Sequence, residues 1–423
     1  MTDLVEQLWS EASEAVHGHR EVVDARVGNL VMVAMCEAGL SASDESLSRT
    51  AAAWADTGPC TILGGARANP ASAVAANAFL LHAGLADDAY RVAHHPGLTV
   101  IPAALAAVEA FGDREHPLSE AVAIGYEFSC RLADLFLPDV SYRGWRVTAT
   151  VAPIASAATA GYIRDGMPGA VNAARLGCSL VGGPLGAVNG GDDWQVQPAI
   201  AAAAGMMAAL VSREHRSNVG ALEGDLGPLS HFSGRVPDAS PRTGLRLDDV
   251  TFKQQGGAMY GQAIYQAVQQ AEIGAGVHRL IVQVPIFAER YANQQNQETR
   301  SVASVEGTLL AALTTKLGAD AAASVDQIEV ESDPQLEDLS ARLVIHDSDG
   351  THHVITASGD TSSWTSRDVL DHVLRRTDQS LEASATEVQQ IAFQEADTAL
   401  KTCLIFANRV AQTCRGPQEV QPD

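Results

Sequence analysis

From His82 to Gly97 the chain reads His-Ala-Gly-Leu-Ala-Asp-Asp-Ala-Tyr-Arg-Val-Ala-His-His-Pro-Gly. Two carboxylates (Asp87, Asp88), a phenol (Tyr90), a guanidinium (Arg91) and two imidazoles (His94, His95) fall within nine consecutive positions. Carboxylates and imidazoles are the side chains of general acid–base chemistry, and a guanidinium beside them suits an anion. Runs of Ala, Val and Leu surround the stretch. Buried polar groups without partners are costly, so polar density at the end of an apolar helix marks a place for chemistry. Adjacent carboxylates on a helix cannot point the same way, so one can face a pocket while the other caps or pairs. A histidine seven or eight positions on can meet either of them after a turn. The competing reading is an exposed helix C-terminus with solvated charges. Of the two histidines, His95 is the candidate and His94 the spare.

Four further segments carry polar groups. Residues 142–150 read Tyr-Arg-Gly-Trp-Arg-Val-Thr-Ala-Thr, with Arg146 and Thr148 entering an Ala-rich helix. Residues 190–200 read Gly-Gly-Asp-Asp-Trp-Gln-Val-Gln-Pro-Ala-Ile, where Gln195 and Gln197 offer only neutral hydrogen bonds. Residues 252–264 read Phe-Lys-Gln-Gln-Gly-Gly-Ala-Met-Tyr-Gly-Gln-Ala-Ile. Lys253 stands out because the chain has only three lysines, the others being Lys316 and Lys401. The Gly-Gly pair opening a helix exposes backbone N–H groups that suit an anion. Residues 290–304 include Glu298 and Arg300, with a solvated helix start as the alternative. His95 and Lys253 lie outside apolar helical stripes, so neither is expected to have a packing role.

Together these segments resemble the MmgE/PrpD family, which includes 2-methylcitrate dehydratase, cis-aconitate decarboxylase and iminodisuccinate epimerase. The family's Asp-Asp pair followed by His-Pro-Ser or His-Pro-Gly corresponds to Asp87, Asp88, His95, Pro96 and Gly97. Its Gly-Phe/Trp-His-x-Thr segment has Arg146 in the His slot and keeps Thr148. An arginine cannot act as a base near neutral pH but can hold a carboxylate, so that slot is expected to bind an anion. In the family's Asp-Gly-x-Trp-x-Lys-x-x-His-Pro-Gly segment, Trp194 and Pro198 keep the frame, whereas the Lys and the His are missing. Its Phe-Lys-x-Tyr-Pro motif corresponds to Phe252 and Lys253. Its later His becomes Gly261 or Gln262, and its Glu-Ala-Lys becomes Glu298 with Arg300.

The elements that must hold these residues change character along the chain. Residues 1–235 read as helix after helix, at 71–85, 99–111, 118–135, 149–163, 169–180 and 200–211, many of them apolar nearly all round. After a Pro-rich linker near 234–242, alternating strands are expected at 279–287, 327–332, 341–346 and 353–357, with a turn at 348–350 and helices at 257–272 and 301–316. Helix returns from Ser366 to Arg409. The expected fold is mainly α. A large helical domain covers 1–240 and is completed by 366–412, a smaller α+β lid covers 241–365, and 413–423 is a disordered tail. The resemblance places the site in the cleft between the domains.

At 423 residues two domains are the default, and a net charge of −23 argues against nucleic acid or an anionic membrane. Six scattered cysteines show no zinc spacing, and reduced thiols and a cytoplasmic location are expected. No apolar run is read as a membrane span. Gly-x-Gly-x-x-Gly after a strand, the P-loop, His-Glu-x-x-His and Gly-x-Ser-x-Gly are absent. The expectation is a cofactor-independent homodimer with no metal, a lyase or isomerase that removes a proton, or loses CO2, beside a carboxylate or carbonyl of a small organic acid. The base would be His95 or the Asp87/Asp88 pair, with Tyr90. Lys253, Arg146 and Arg91 would supply cations, and Thr148, Gln262 and Arg300 would bind substrate. Three altered family slots imply a divergent substrate in a biosynthetic pathway. Isomerisation or cyclisation in specialised metabolism, and an inactive binding scaffold, are the alternatives.

Overall fold

Short polar side chains start the first helices. Asp3 accepts from the Glu6 N–H at the head of α1 (Leu4–Gly18), Asp44 from Leu47 ahead of α3 (Glu45–Ala52), and Asn69 from Ser72 ahead of α4 (Pro70–Ala83). α2 (Arg20–Ser43) lies between the first two. A computed structural model describes residues 3–91, 93–112, 116–188, 192–233, 244–273, 277–291, 304–318, 327–347 and 352–415. In it the Ala-rich runs become α5 (Pro96–Phe111), α6 (Leu118–Phe136), α8 (Val147–Gly177) and α9 (Asp193–Val211), with the short α7 (Asp139–Tyr142) before α8 and α10 (Pro228–Phe232) after α9. α8 bends at Gly166, whose φ of 65° no helix contains, and Pro168 follows. Periodicity therefore reads α8 as two helices.

α4, α5 and α8 are buried on nearly every side, packed among α2, α6 and α9 in one large apolar core. The C-terminal helices α13 (Ser366–Arg376), α14 (Glu382–Gln389) and α15 (Ala396–Cys414) return to this core through Val369, Val388, Cys403 and Phe406. α15 reaches Cys414, so the expected tail at 413–423 begins inside a helix.

A second, smaller core forms around a four-stranded sheet of order β6-β5-β7-β8. Its strands are β5 (Val277–Val284), β6 (Gln327–Ser332), β7 (Ser340–Asp347) and β8 (His352–Ser358). β5 runs parallel to β6 and antiparallel to β7, which pairs antiparallel with β8. α11 (Met259–Gln270) and α12 (Val305–Leu317) cover the sheet through Ile264, Val268, Leu309 and Leu313. β5 stops at Val284, before Pro285, rather than at 287. The expected 348–350 turn lies outside the described residues. Leu245, Leu247, Val250 and Phe252 pack in the larger core, so the changeover falls after Phe252 rather than at 241. Two short ribbons lie among the helices: β1 (Cys60–Thr61) with β2 (Arg67–Ala68), and β3 (Ala89–Tyr90) with β4 (Val250–Thr251). Two-residue strands leave no periodic signal in a sequence. By length and composition α9 passes for a membrane span, as a core helix of a folded protein also can, and half of its apolar window is buried within the fold.

Candidate active site

The loop from Gly84 to His95 runs where the two cores meet. Leu85 and Ala89 belong to the smaller core and Tyr90 to the larger. β3 pairs with β4, and Lys253 lies two residues after β4, so the ribbon brings the Asp-Asp loop and the lysine together. Thr361 fixes this connection by receiving the Phe252 N–H at 2.7 Å and donating to the Phe252 carbonyl at 2.8 Å. Leu85 (φ 51°) and Arg91 (φ 45°) occupy the left-handed region that non-glycine residues avoid. The Leu85 carbonyl is held by two donors, Lys253 Nζ and the Gly257 N–H, each at 3.0 Å. Gly257 therefore clamps the loop, in place of the anion expected at the Gly-Gly pair.

Asp87 is the centre of the cluster and is fully buried. Its Oδ1 meets Lys253 Nζ at 2.7 Å, its Oδ2 meets His82 Nδ1 at 2.7 Å, and His95 Nδ1 lies 3.5 Å from the same oxygen. On the far side of His82, Nε2 meets Arg146 Nη2 at 2.7 Å, while Arg146 Nη1 donates to the Trp194 carbonyl at 2.5 Å. A guanidinium only donates, so His82 Nε2 accepts and Nδ1 carries the proton given to Asp87. The Trp194 ring packs edge-on against His82, with centroids 5.4 Å apart.

Asp88 points the other way. Its side chain accepts from the Gly97 N–H at 3.1 Å and the Tyr126 hydroxyl at 2.7 Å, which caps the start of α5. A Cβ at position 97 would lie 2.7 Å from the Tyr126 hydroxyl and 2.8 Å from Asp88 Oδ1, so this close approach requires glycine. The Asp88 carbonyl faces His95 Nδ1 at 2.9 Å, and the His95 N–H donates to Thr148 Oγ1 at 3.1 Å. His95 Nδ1 is thus a donor and Nε2 bears the lone pair. Among the described residues nothing hydrogen-bonds Nε2.

Burial sets much of the electrostatics. It would raise the pKa of Asp87, but Lys253, His95 and His82 outweigh it and hold the carboxyl well below its usual range. Burial, with the Asp87 charge, pushes Asp88 up to about 7 against the pull of Tyr126 and Gly97. Burial lowers His82 to about 4, opposed by Asp87 and aided by Arg146 and Lys253. His95 also falls well below the usual imidazole range, through burial opposed by Asp87. Both rings are neutral bases at neutral pH. Beneath them the buried Glu37 and the partly exposed Arg376 form a two-pronged pair, at 2.7 Å for each contact.

His82, Asp87 and His95 place three possible metal-donor atoms within 4.8 Å of one another. The donor set does not suit a cation. Both His82 nitrogens are engaged, and the Lys253 ammonium already sits on the carboxylate.

Other expected site residues are placed elsewhere. Tyr90 donates to Asp134 at 3.0 Å, and Arg91 and Arg246 each meet Asp134 at 2.9 Å, so Tyr90 and Arg91 build a second polar cluster away from Asp87. Thr148 holds the His95 backbone and donates to Ala93 O at 3.2 Å. Gln262 accepts from the Gln254 and Gln255 N–H groups and closes their loop. Gln195 and Gln197 donate to the carbonyls of Ala83 and Pro184. Arg300 and Glu298 lie outside the described residues. His94 is buried against Ser129 at 2.8 Å, and burial lowers its pKa to about 3. Lys253 is completely buried and ion-paired, so it does have a packing role.

Sequence reasoning missed His82 and Tyr126. His82 opens the polar stretch, and its position five residues before Asp87, at the end of an apolar helix, was the available signal. Tyr126 sits in the middle of α6 beside other polar residues, and nothing local singles it out.

No curated protein matches the sequence. Residues 29–238 match the MmgE/PrpD N-terminal domain, a stretch that contains His82, Asp87, Asp88, His95 and Arg146. The activity of that family is of dehydratase or lyase type. The chain belongs to the MmgE/PrpD family.

Proposed function

We propose that this chain is a cofactor-independent lyase or isomerase that takes a proton from the carbon beside a carboxylate of a small organic acid, with His95 Nε2 as the base. The observation that carries this reading is the His95 ring itself: Nδ1 is anchored on the Asp88 carbonyl, Nε2 keeps its lone pair, and the ionised Asp87 lies 3.5 Å from Nδ1. A base needs its tautomer fixed and its conjugate acid stabilised, and the carbonyl and Asp87 supply these in turn. The buried charges favour an anion. Lys253 and Arg146 are two cations, answered by the Asp87 carboxylate and by an Asp88 that is only part-ionised near neutral pH. An incoming carboxylate would balance the remainder and raise the basicity of His95 where it is needed.

One base that keeps the proton it removes within reach suits isomerisation, in which the imidazolium returns that proton to carbon, or elimination, in which it gives the proton to the leaving group. The Arg at position 146, and the lack of a Lys or His between Trp194 and Pro198, weigh against 2-methylcitrate as substrate. The test is incubation with a panel of di- and tricarboxylic acids in D2O with EDTA, followed by proton NMR. Exchange or turnover that persists with EDTA is the expected result. Loss of activity in EDTA that a divalent metal restores would overturn the cofactor-independent reading, and rapid turnover of 2-methylcitrate would overturn the divergent substrate. We also propose a homodimer that covers the exposed apolar stripe of α9 at Ile200, Met207 and Val211. A stable monomer in light scattering at micromolar concentration would refute it.

A further inference from the structure

We propose that Arg146 is a positioning residue: by donating to His82 Nε2 it locks His82 as the neutral Nδ1–H tautomer, and through it the orientation of Asp87 beneath His95. The inference rests on the reading of His95 as the base; it gives His82 a role that this reading leaves it without, and gives Arg146 a geometric role besides its charge.

The argument starts from the order of donors. Arg146 is the residue before α8, and its own N–H donates to the Gly183 carbonyl at 2.9 Å, so its backbone is fixed. From there one guanidinium nitrogen is tied to the Trp194 carbonyl and the other reaches His82 Nε2. The Nδ1 of the same ring is 2.7 Å from Asp87 Oδ2. With a donor on one side and a carboxylate on the other, only one tautomer satisfies both contacts. The Nε2–H tautomer would set N–H against N–H and leave Asp87 without its partner. A protonated ring would place another charge beside Arg146 and Lys253.

Among the described residues, the charged and titratable groups around the ring come from several elements. Asp87 comes from the loop, Arg146 from the head of α8, His95 from the head of α5, Lys253 from the segment after β4, and the Glu37–Arg376 pair lies below, with Glu37 Oε2 3.7 Å from where a Cβ on Gly84 would be. Among these groups Asp87 favours a charged His82, and the negative charge of Glu37 is held by Arg376. Burial and the two cations win, which agrees with the lowered pKa of His82.

Asp87 Oδ2 is the atom nearest the Nδ1 of His95 among the carboxylate oxygens, so its position controls how well a His95 imidazolium is stabilised. Lys253 alone fixes Oδ1. The His82 N–H fixes Oδ2, and Arg146 fixes that N–H. A guanidinium in this place serves geometry and charge placement within the protein, whereas an anion-binding role would need its N–H groups turned to the ligand.

The experiment is long-range proton–nitrogen NMR on the full-length protein labelled with 15N-histidine, with the His82 signals assigned by their loss in His82→Asn. The expected wild-type result is a ring with protonated Nδ1 and unprotonated Nε2 that does not titrate between about pH 5.5 and 8.5. Arg146→Ala is expected to populate the Nε2–H tautomer and to move the midpoint of this ring up by roughly one unit or more, read in a titration carried down to about pH 4, and Arg146→Lys, which keeps one donor, to restore the tautomer. A wild-type His82 in the Nε2–H or imidazolium form overturns the proposal without any variant having to fold. So does a folded Arg146→Ala protein with an unchanged tautomer and titration. On an acid found by the D2O screen, the positioning role predicts that Arg146→Ala shifts the acid limb of the kcat–pH profile while KM changes less than about threefold. A KM raised tenfold or more with an unmoved profile would show that Arg146 binds the substrate, as the sequence alone suggests. The NMR result needs no substrate, so failure of the lock and failure of His95 as the base are separate outcomes.

Discussion

Asp87 and Asp134 are two buried carboxylates served by one loop, and they end in different chemistry. Asp134 receives the Tyr90 hydroxyl, Arg91 and Arg246. Burial would raise its pKa, but these donors overcome it and keep it ionised. None of the three gives up a proton near neutral pH; burial and Asp134 itself push the Tyr90 hydroxyl still higher. The cluster can therefore tie the loop to α6 and to the segment before β4, and do nothing else. Asp87 is also held ionised by a cation, Lys253, but its other neighbours are imidazoles. Imidazoles carry lone pairs and can take a proton. What distinguishes a reaction centre from a clamp here is the type of donor on the carboxylate, since burial and charge are much alike in the two.

The sharpest way to break that comparison is to remove the lone pair alone. In His95→Asn the amide can still donate to the Asp88 carbonyl, but no base remains where Nε2 was. On whichever acid the protein turns over, kcat is expected to fall about 10²- to 10⁴-fold, with the melting temperature close to wild type. An Asn variant with wild-type kcat would make the Asp87 cluster a clamp like its neighbour.

Next in size is the loss of a cation from each cluster. Lys253→Met leaves Asp87 buried with only neutral rings beside it, a change expected to cost about 3–5 kcal/mol. Arg246→Met leaves Asp134 with Arg91 and Tyr90, and should cost about 1–3 kcal/mol. Urea denaturation of both variants measures the difference. Equal losses would mean that Asp87 protonates or finds water when Lys253 is gone. In that case Lys253→Met combined with Asp87→Asn should be no more stable than Lys253→Met alone.

The sequence shows the components of this contrast but not their grouping. The helices are legible because burial on all sides writes long apolar runs, and the smaller core because period-two strands survive in β5, β7 and β8. Asp87, His95 and Lys253 are legible as polar residues in apolar surroundings. Tyr90 and Arg91 look equally chemical in sequence, yet strand alternation in β3 and the positive φ of Arg91 turn them toward Asp134. Those are properties of the folded backbone, and a short ribbon leaves no trace in residue spacing. Arg146 reads as an anion grip because its partner, His82, is 64 positions away.

Acid should separate the clusters further. His82, His94 and His95 all have pKa values below the unfolded histidine value in the native state. Below about pH 6.5 the unfolded chain binds protons that the folded chain refuses, so their contribution is fully present above that pH and is lost as pH falls. Asp88 works in the opposite sense: its raised pKa favours folding at low pH and is lost as pH rises toward 7. Each neutral histidine loses about 2 kcal/mol by about pH 5 and Asp88 offsets roughly one of them, which leaves a net loss of about 2–4 kcal/mol. Thermal melts from neutral to about pH 5 should show it, and His94→Asn should reduce the slope. A melting temperature that rises on acidification would mean that Asp88 dominates the histidines.

The smallest effect is expected at Tyr90, the residue whose sequence position most suggests catalysis and whose placement least supports it. Tyr90→Phe removes one hydroxyl from Asp134, which keeps both arginines, and the ring stays packed in the larger core. A single hydrogen bond to a carboxylate that remains well paired is worth about 1 kcal/mol, and the loss should appear as a small drop in melting temperature. The pH profile of kcat should not move, because the Tyr90 hydroxyl meets Asp134 and not the rings of His82 or His95. If Tyr90→Phe instead lowered kcat by tenfold or more at unchanged stability, the two clusters would have to act together through the strained backbone at Arg91, and the division between clamp and reaction centre would fail at the residue they share along the chain.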